Sequence, residues 1–173
     1  MFLELIATCI AGLALAGVAA LLNIATGRRL PRWIMPVAAG LGMIGTTIAN
    51  EYSWYPRTMA TLPEGLILAD AVEKKSFYQP WTYVVPYVNR FVALDEASLR
   101  ENAEQPDMRL FDAYFYGRWS PVNRMPVLID CANGRRAALA DGAEFGDDGA
   151  ITNARWFAAG PEDPMIRTGC EVS

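Results

Sequence analysis

The sequence predicts an α+β membrane protein, an N-terminal two-helix transmembrane hairpin followed by a small, mainly antiparallel β domain in the periplasm. Three observations lead there. Charge is partitioned, because the first fifty positions carry only Glu4, Arg28, Arg29 and Arg32, and every other charged residue lies at or after Glu51. Hydrophobic residues make up 53% of the 173 and charged residues only 20%, which is apolar for one soluble domain of this length. Short apolar runs separated by turn signals, above all Asn133-Gly134, fill the second half. The expected division is a membrane anchor over 1–50 and a β-rich domain over 51–173.

From Leu5 to Ile24 the chain has twenty residues without a charge. At about 1.5 Å per residue such a helix spans a hydrocarbon core of roughly 30 Å. A second apolar run covers 34–50, with Trp33 at one end and Tyr52, Trp54 and Tyr55 at the other as interfacial anchors. The loop between them, 25–33, holds Arg28, Arg29 and Arg32. Short loops rich in Lys and Arg stay in the cytoplasm, so both termini and the C-terminal domain are expected in the periplasm of a Gram-negative cell. A cleaved signal peptide is the competing reading of the first run, with Ala19-Ala20 as its cleavage site. The flanks oppose it, since Glu4 precedes the apolar core and the arginines follow it.

Histidine is absent, which excludes Ser-His-Asp and Cys-His catalysis, His-bearing zinc sites and an imidazole pH switch. The segment from Glu51 onward carries 12 basic and 18 acidic residues, a net charge of −6, so nucleic acid is not an expected partner.

Cys9 falls in the first helix and reads as a small packing residue, while Cys131 and Cys170 both fall in the outer domain. Two cysteines in an oxidising compartment suggest one disulfide, closing a loop of about 38 residues for on the order of 3–4 kcal/mol. A redox pair usually takes the form Cys-x-x-Cys, and a metal site needs ligands that the missing histidines cannot supply.

Small residues recur four apart on each apolar helix: Thr8, Gly12, Ala16 and Ala20 on the first, Ala38, Gly42, Thr46 and Asn50 on the second. Such stripes let helix backbones approach closely in lipid. They serve either the packing of the hairpin on itself or docking onto another membrane subunit.

In the outer domain, 65–72 is a short apolar run and 82–94 is rich in Val, Tyr and Phe, interrupted by Pro86 as at an edge or bend. Asp95 opens a capped helical turn to Glu101, and 109–119 suits a strand. Residues 127–132 and 135–139 flank Asn133-Gly134 as a hairpin, and a turn at 146–149 introduces 150–158. The expectation is an antiparallel sheet of five to seven strands with little helix.

The order of Phe91 through Leu99, Arg118-Trp119-Ser120, Ile129-Asp130-Cys131, Phe145 through Gly149, Trp156 and Cys170 resembles the surface-adhesin protein E family. It covers about residues 89–170. The resemblance implies a small envelope protein with an antiparallel sheet and a C-terminal Cys170 paired back to the Asp130-Cys131 strand. Two membrane helices in place of a simple export signal depart from that pattern, and no ligand site carries over.

Chemical constellations are few. Asp141, Glu144, Asp147 and Asp148 lack the spacing of a calcium loop and read as a solvated turn. Lys74-Lys75-Ser76 is too compact to converge as a Ser-Lys dyad, and Asp95 with Asp112 gives no acid–base assignment. No metal or cofactor is expected. More informative is the stretch Phe77-Tyr78-Gln79-Pro80-Trp81-Thr82-Tyr83-Val84-Val85-Pro86-Tyr87, where Phe77, Tyr78, Trp81, Tyr83 and Tyr87 either fill the core alternately or form a partner surface.

The sequence therefore predicts a non-enzymatic accessory or assembly subunit of an inner-membrane complex, with other integral membrane subunits and the bilayer as partners. The alternative is a free-standing anchored module that binds a small molecule or envelope polymer.

Overall fold

The computed structural model describes residues 2–102, 105–139, 144–145, 151–152, 154–160 and 162–172. The chain forms two compact units, Met1–Arg57 and Thr58–Ser173.

In the first unit α1 spans Phe2–Ala25 and α2 starts at Ile34 and runs to Ala60. Among the described residues α1 is the one helix long and apolar enough to cross a membrane. It leaves Leu3, Ile10, Leu13 and Leu21 exposed, as lipid contact would require. Its C-terminus is closed by Gly27 and Arg28 with positive φ (72° and 60°), and Arg28 N–H donates to the Asn23 carbonyl at 2.7 Å. The Asn23 side chain accepts the Leu30 N–H at 3.0 Å, so this end-of-helix residue shapes the arginine loop.

The second helix is ten residues longer than the 34–50 read from its apolar run. Its latter part is polar, beginning at Glu51, and it continues through Pro56. Proline removes one helical N–H near the end of the helix, and the Arg57 guanidinium donates back to the Ser53 carbonyl at 3.1 Å. Tyr52, Trp54 and Tyr55 thus lie within the helix rather than beyond its end, and Trp54 is buried.

The small-residue stripes meet each other. A methyl group at Gly12 would come within 2.8 Å of the Met43 side chain and 3.2 Å of the Ala39 carbonyl, and one at Gly42 within 2.7 Å of Leu15 Cδ1 and 3.0 Å of the Ala11 carbonyl. Ala16, Ala20, Ala38 and Thr46 are half-buried nearby in sequence, with the Thr46 hydroxyl returned to the Gly42 carbonyl at 2.8 Å.

The second unit is a seven-stranded antiparallel sheet. Its strands are β1 (Leu66–Lys74), β2 (Tyr87–Asp95), β3 (Arg100–Asn102), β4 (Gln105–Gly117), β5 (Ser120–Asp130), β6 (Arg135–Ala138) and, later in the chain, β9 (Phe157–Ala158). They run in the order β1-β2-β4-β5-β6-β9, with β3 on β4, and β7 (Glu144–Phe145) pairs separately with β8 (Ile151–Thr152). Long β4 pairs with β5 along one edge and shares the other, its first half pairing with β3 and its second with β2.

Period-two alternation puts Val92, Leu94, Phe111, Ala113, Val127 and Ile129 on one face, where they form the core. A helix absent from the sequence reading, α3 (Pro164–Glu171), covers part of that face with Met165 and Ile166. Asp163 caps it, accepting from the N–H groups of Met165 and Ile166 at 3.0 and 3.2 Å, and Pro164 occupies its first turn. Gly169 lets α3 lie flat, since a side chain there would meet Ile129, Phe111 and Leu94.

Two devices fasten α3. Cys131 and Cys170 form a disulfide with Cα atoms 5.9 Å apart. Arg109 on β4 donates to the carbonyls of Gly169 (3.1 Å), Cys170 (3.0 Å) and Val172, placing a cation on the helix's negative end. Cys9 is free and exposed.

The Asn-Gly hairpin is a four-residue turn, Cys131 to Gly134, rather than a two-residue one. Asp130 organises it by accepting from the Asn133 N–H at 3.0 Å, and Gly134 takes φ 58°. The capped turn after Asp95 is a single 3₁₀ turn, Glu96–Ser98. The turn expected at 146–149 lies outside the described residues.

Candidate functional site

The connection from β1 to β2 inverts the usual burial pattern. Two small polar residues are inside, Thr82 at 0% exposure and Ser76 at 7%, while Phe77 is 92% and Val84 83% exposed, with Tyr78, Tyr83 and Val85 also outward. The backbone explains how. Pro80 starts a 3₁₀ turn, Pro80–Tyr83, and Thr82 sits at its centre. The Thr82 hydroxyl accepts the Ser76 N–H at 2.9 Å and donates to the Gln79 carbonyl at 2.7 Å. Gln79 N–H in turn donates to the Ser76 carbonyl at 3.0 Å, and the N–H groups of Val84 and Val85 close onto the Trp81 carbonyl at 3.1 and 2.9 Å. One buried hydroxyl thereby holds a tight loop whose apolar side chains have nowhere to go but out.

Of the five aromatic residues singled out from sequence, Phe77, Tyr78, Trp81 and Tyr83 are exposed, and Tyr87, the first residue of β2, is buried. Alternate filling of the core is therefore not what this stretch does. A contiguous run of exposed large apolar side chains on one short loop is the kind of surface that marks an interaction site.

A second feature was not visible in sequence. Beyond α3, among the described residues, two hollows of about 430 and 310 Å³ lie on the core face of the sheet. Both are lined by Phe115 and Arg136. The larger adds Met125, Val127, Ala138, Arg155, Trp156 and Phe157, the smaller Asp70, Val72, Arg90, Val92 and Asn123. Arg136 stands opposite Ile129 across the strand pair and reaches Asp163 at 3.3 Å and the Met165 sulfur at 3.4 Å.

On the other face, Asp130 is buried and receives Asn133 Nδ2 at 2.8 Å and Arg135 Nε at 2.6 Å. Burial pushes its carboxyl up, but the bonds from Asn133 and Arg135 outweigh this and hold it below the usual aspartate value. Arg135 also lies 4.3 Å over the Trp156 ring. Phe91 and Tyr116 stack at 4.6 Å across the β2–β4 pair, and burial, then Tyr114, raises the Tyr116 hydroxyl.

The remaining sequence candidates are dispersed. Arg28, Arg29 and Arg32 are exposed on the loop between the helices. Ser76 is buried while Lys75 is exposed, so they do not converge as a dyad. Asp95 caps the 3₁₀ turn through the Ala97 N–H at 3.0 Å, and Asp112 pairs with Arg124. Of Asp141, Glu144, Asp147 and Asp148, only the backbone of Glu144, in β7, is described. Among the described residues no group of three or more Cys, Asp or Glu side chains is arranged to hold a metal ion.

Comparison of the chain with family models, with curated proteins and with solved structures finds no match, so the resemblance to surface-adhesin protein E rests on the residues quoted for it.

Proposed function

We propose that this chain is a non-enzymatic accessory or assembly subunit of a bacterial inner-membrane complex. In this reading α1 and the apolar part of α2, 34–50, cross the membrane as a hairpin with Arg28, Arg29 and Arg32 in the cytoplasm. The sheet domain then lies in the periplasm, where its disulfide is chemically at home.

One observation carries the proposal: the loop from Phe77 to Val85 exposes its aromatic and branched side chains on a scaffold fixed by Thr82. Ordering that loop needs little further entropy on binding, and Tyr and Trp are residues that dominate protein contacts. The stripes of Gly12 and Gly42 are engaged with each other's helices, so the docking role falls to the loop.

Purification of the full chain in mild detergent tests this. A subunit brings integral membrane proteins in fixed stoichiometry, and replacing Phe77, Tyr83 and Val84 with Ser releases them. A protein that purifies alone contradicts the proposal. The topology has its own test: a reporter active only in the cytoplasm works when fused near Arg29 and fails after Ser173, and the reverse overturns the periplasmic placement.

A further inference from the structure

The alternative reading from sequence, a module that binds a small molecule, finds support in the two hollows on the sheet face. We propose that this face binds a single-chain amphiphile with a carboxylate head, in chemical class a long-chain fatty acid. The inference is independent of the aromatic loop.

Shape comes first. The two hollows share Phe115 and Arg136, and the larger, about 430 Å³, lies within the ~300–1,000 Å³ typical of small-molecule sites. Its wall is apolar through Phe115, Met125, Val127, Ala138 and Phe157. Methionine side chains, Met125 in the larger hollow and Met165 in the smaller, adapt to a flexible chain at little cost. A nucleotide or sugar would need many convergent donors and acceptors, and the polar side chains of the larger hollow are only Arg136, Arg155 and Trp156.

Charge then selects the head group. Among the described lining residues the hollows hold three arginines, Arg90, Arg136 and Arg155, against one acid, Asp70, in a domain whose net charge is otherwise negative. The chemistry centres on Arg136. Among the described residues its buried Nε has no hydrogen-bond partner, and its terminal nitrogens have a 3.3 Å contact to Asp163 and one to a thioether, a weak acceptor. A buried donor left unsatisfied is costly, and a planar guanidinium meets a carboxylate with two parallel bonds. A carboxylate on an apolar chain supplies the missing acceptor while its body covers the exposed wall.

The test uses the full chain in lipid nanodiscs and two photoreactive probes, a diazirine-bearing palmitic acid and the matching diazirine-bearing hexadecanol. Adducts are located by mass spectrometry. The acid is expected to label peptides of β4, β5 and β6 saturably, at least about tenfold more than the alcohol, while both label α1 equally from the bilayer. Arg136→Gln lowers sheet labelling by the acid about tenfold. Ala138→Trp, which fills the larger hollow and keeps Arg136, removes it, with the Cys131–Cys170 disulfide intact as the check on folding. Equal sheet labelling by acid and alcohol, or labelling confined to the helices, overturns the proposal. So does wild-type labelling in either variant.

Discussion

Thr82 Oγ1 accepts the Ser76 N–H at 2.9 Å inside a loop whose aromatic side chains face outward. That single bond couples the fold to the proposed docking surface. Replacing Thr82 with Val keeps the shape and deletes the hydroxyl, leaving the Ser76 N–H buried and unpaired at a cost of about 1–3 kcal/mol. The expected outcome is a lower thermal midpoint and faster amide exchange at Ser76 and Gln79, with the sheet unaffected. Unchanged exchange would mean that the loop is held by something else.

The disulfide and Arg109 both fasten the last turn of α3, one through the Cys170 sulfur and the other through the Gly169 and Cys170 carbonyls. Cys131→Ser with Cys170→Ser should lower stability by about 2–4 kcal/mol, and reduction of the native protein should do the same. Arg109→Met leaves three carbonyls without their donor, and because both fastenings meet at Cys170 the combined loss should differ from the sum of the single ones. A double-mutant cycle measured by denaturant unfolding checks this.

Acid should weaken the domain through Asp130. Its folded pKa lies below its ordinary 3.8, so its contribution is complete above that value and is lost as pH falls through the folded one. Asp130→Asn should be less stable at neutral pH and show a flatter stability profile between about pH 4 and pH 2. A profile parallel to the wild type's would contradict the assignment.

Leu at Gly12 or Gly42 should separate α1 from α2, because Met43 and the Ala39 carbonyl face one position, and Leu15 and the Ala11 carbonyl the other. Overpacking of this kind costs about 1–3 kcal/mol. Titration with SDS, followed by helicity, should show an earlier transition for the variants. If the helices cross the membrane as proposed, insertion is expected to survive, since Leu is favourable in lipid.

How much of this was legible in the sequence depended on whether the physics was local. An uncharged run announces α1, and Asn133-Gly134 announces the turn between β5 and β6. Glu51 and the aromatic cluster read as a helix end, yet α2 continues because helical hydrogen bonding tolerates Pro56 so near its C-terminus. The α3 signal was present in Asp163-Pro164, a cap followed by proline, but eight residues interrupted by Gly169 show too little periodicity to stand out.

The sites divide in the same way. Density marked the aromatic stretch, but Pro80 and Pro86 break the alternation that would have told inside from outside. Arg135 and Arg136 are neighbours on the strand after Asn133-Gly134. Period two places them on opposite faces, one with Asp130 and one at the hollows, and the hollows form only when distant strands are brought together.

The most direct test of the central claim is site-specific photo-crosslinking in intact membranes, with a photoreactive amino acid at position 77 and, as a control, at position 100, an exposed residue of β3. Position 77 is expected to yield one discrete adduct with an integral membrane protein that position 100 does not give. The same adducts from both positions, or adducts with lipid alone from position 77, would contradict a docking role for the aromatic loop.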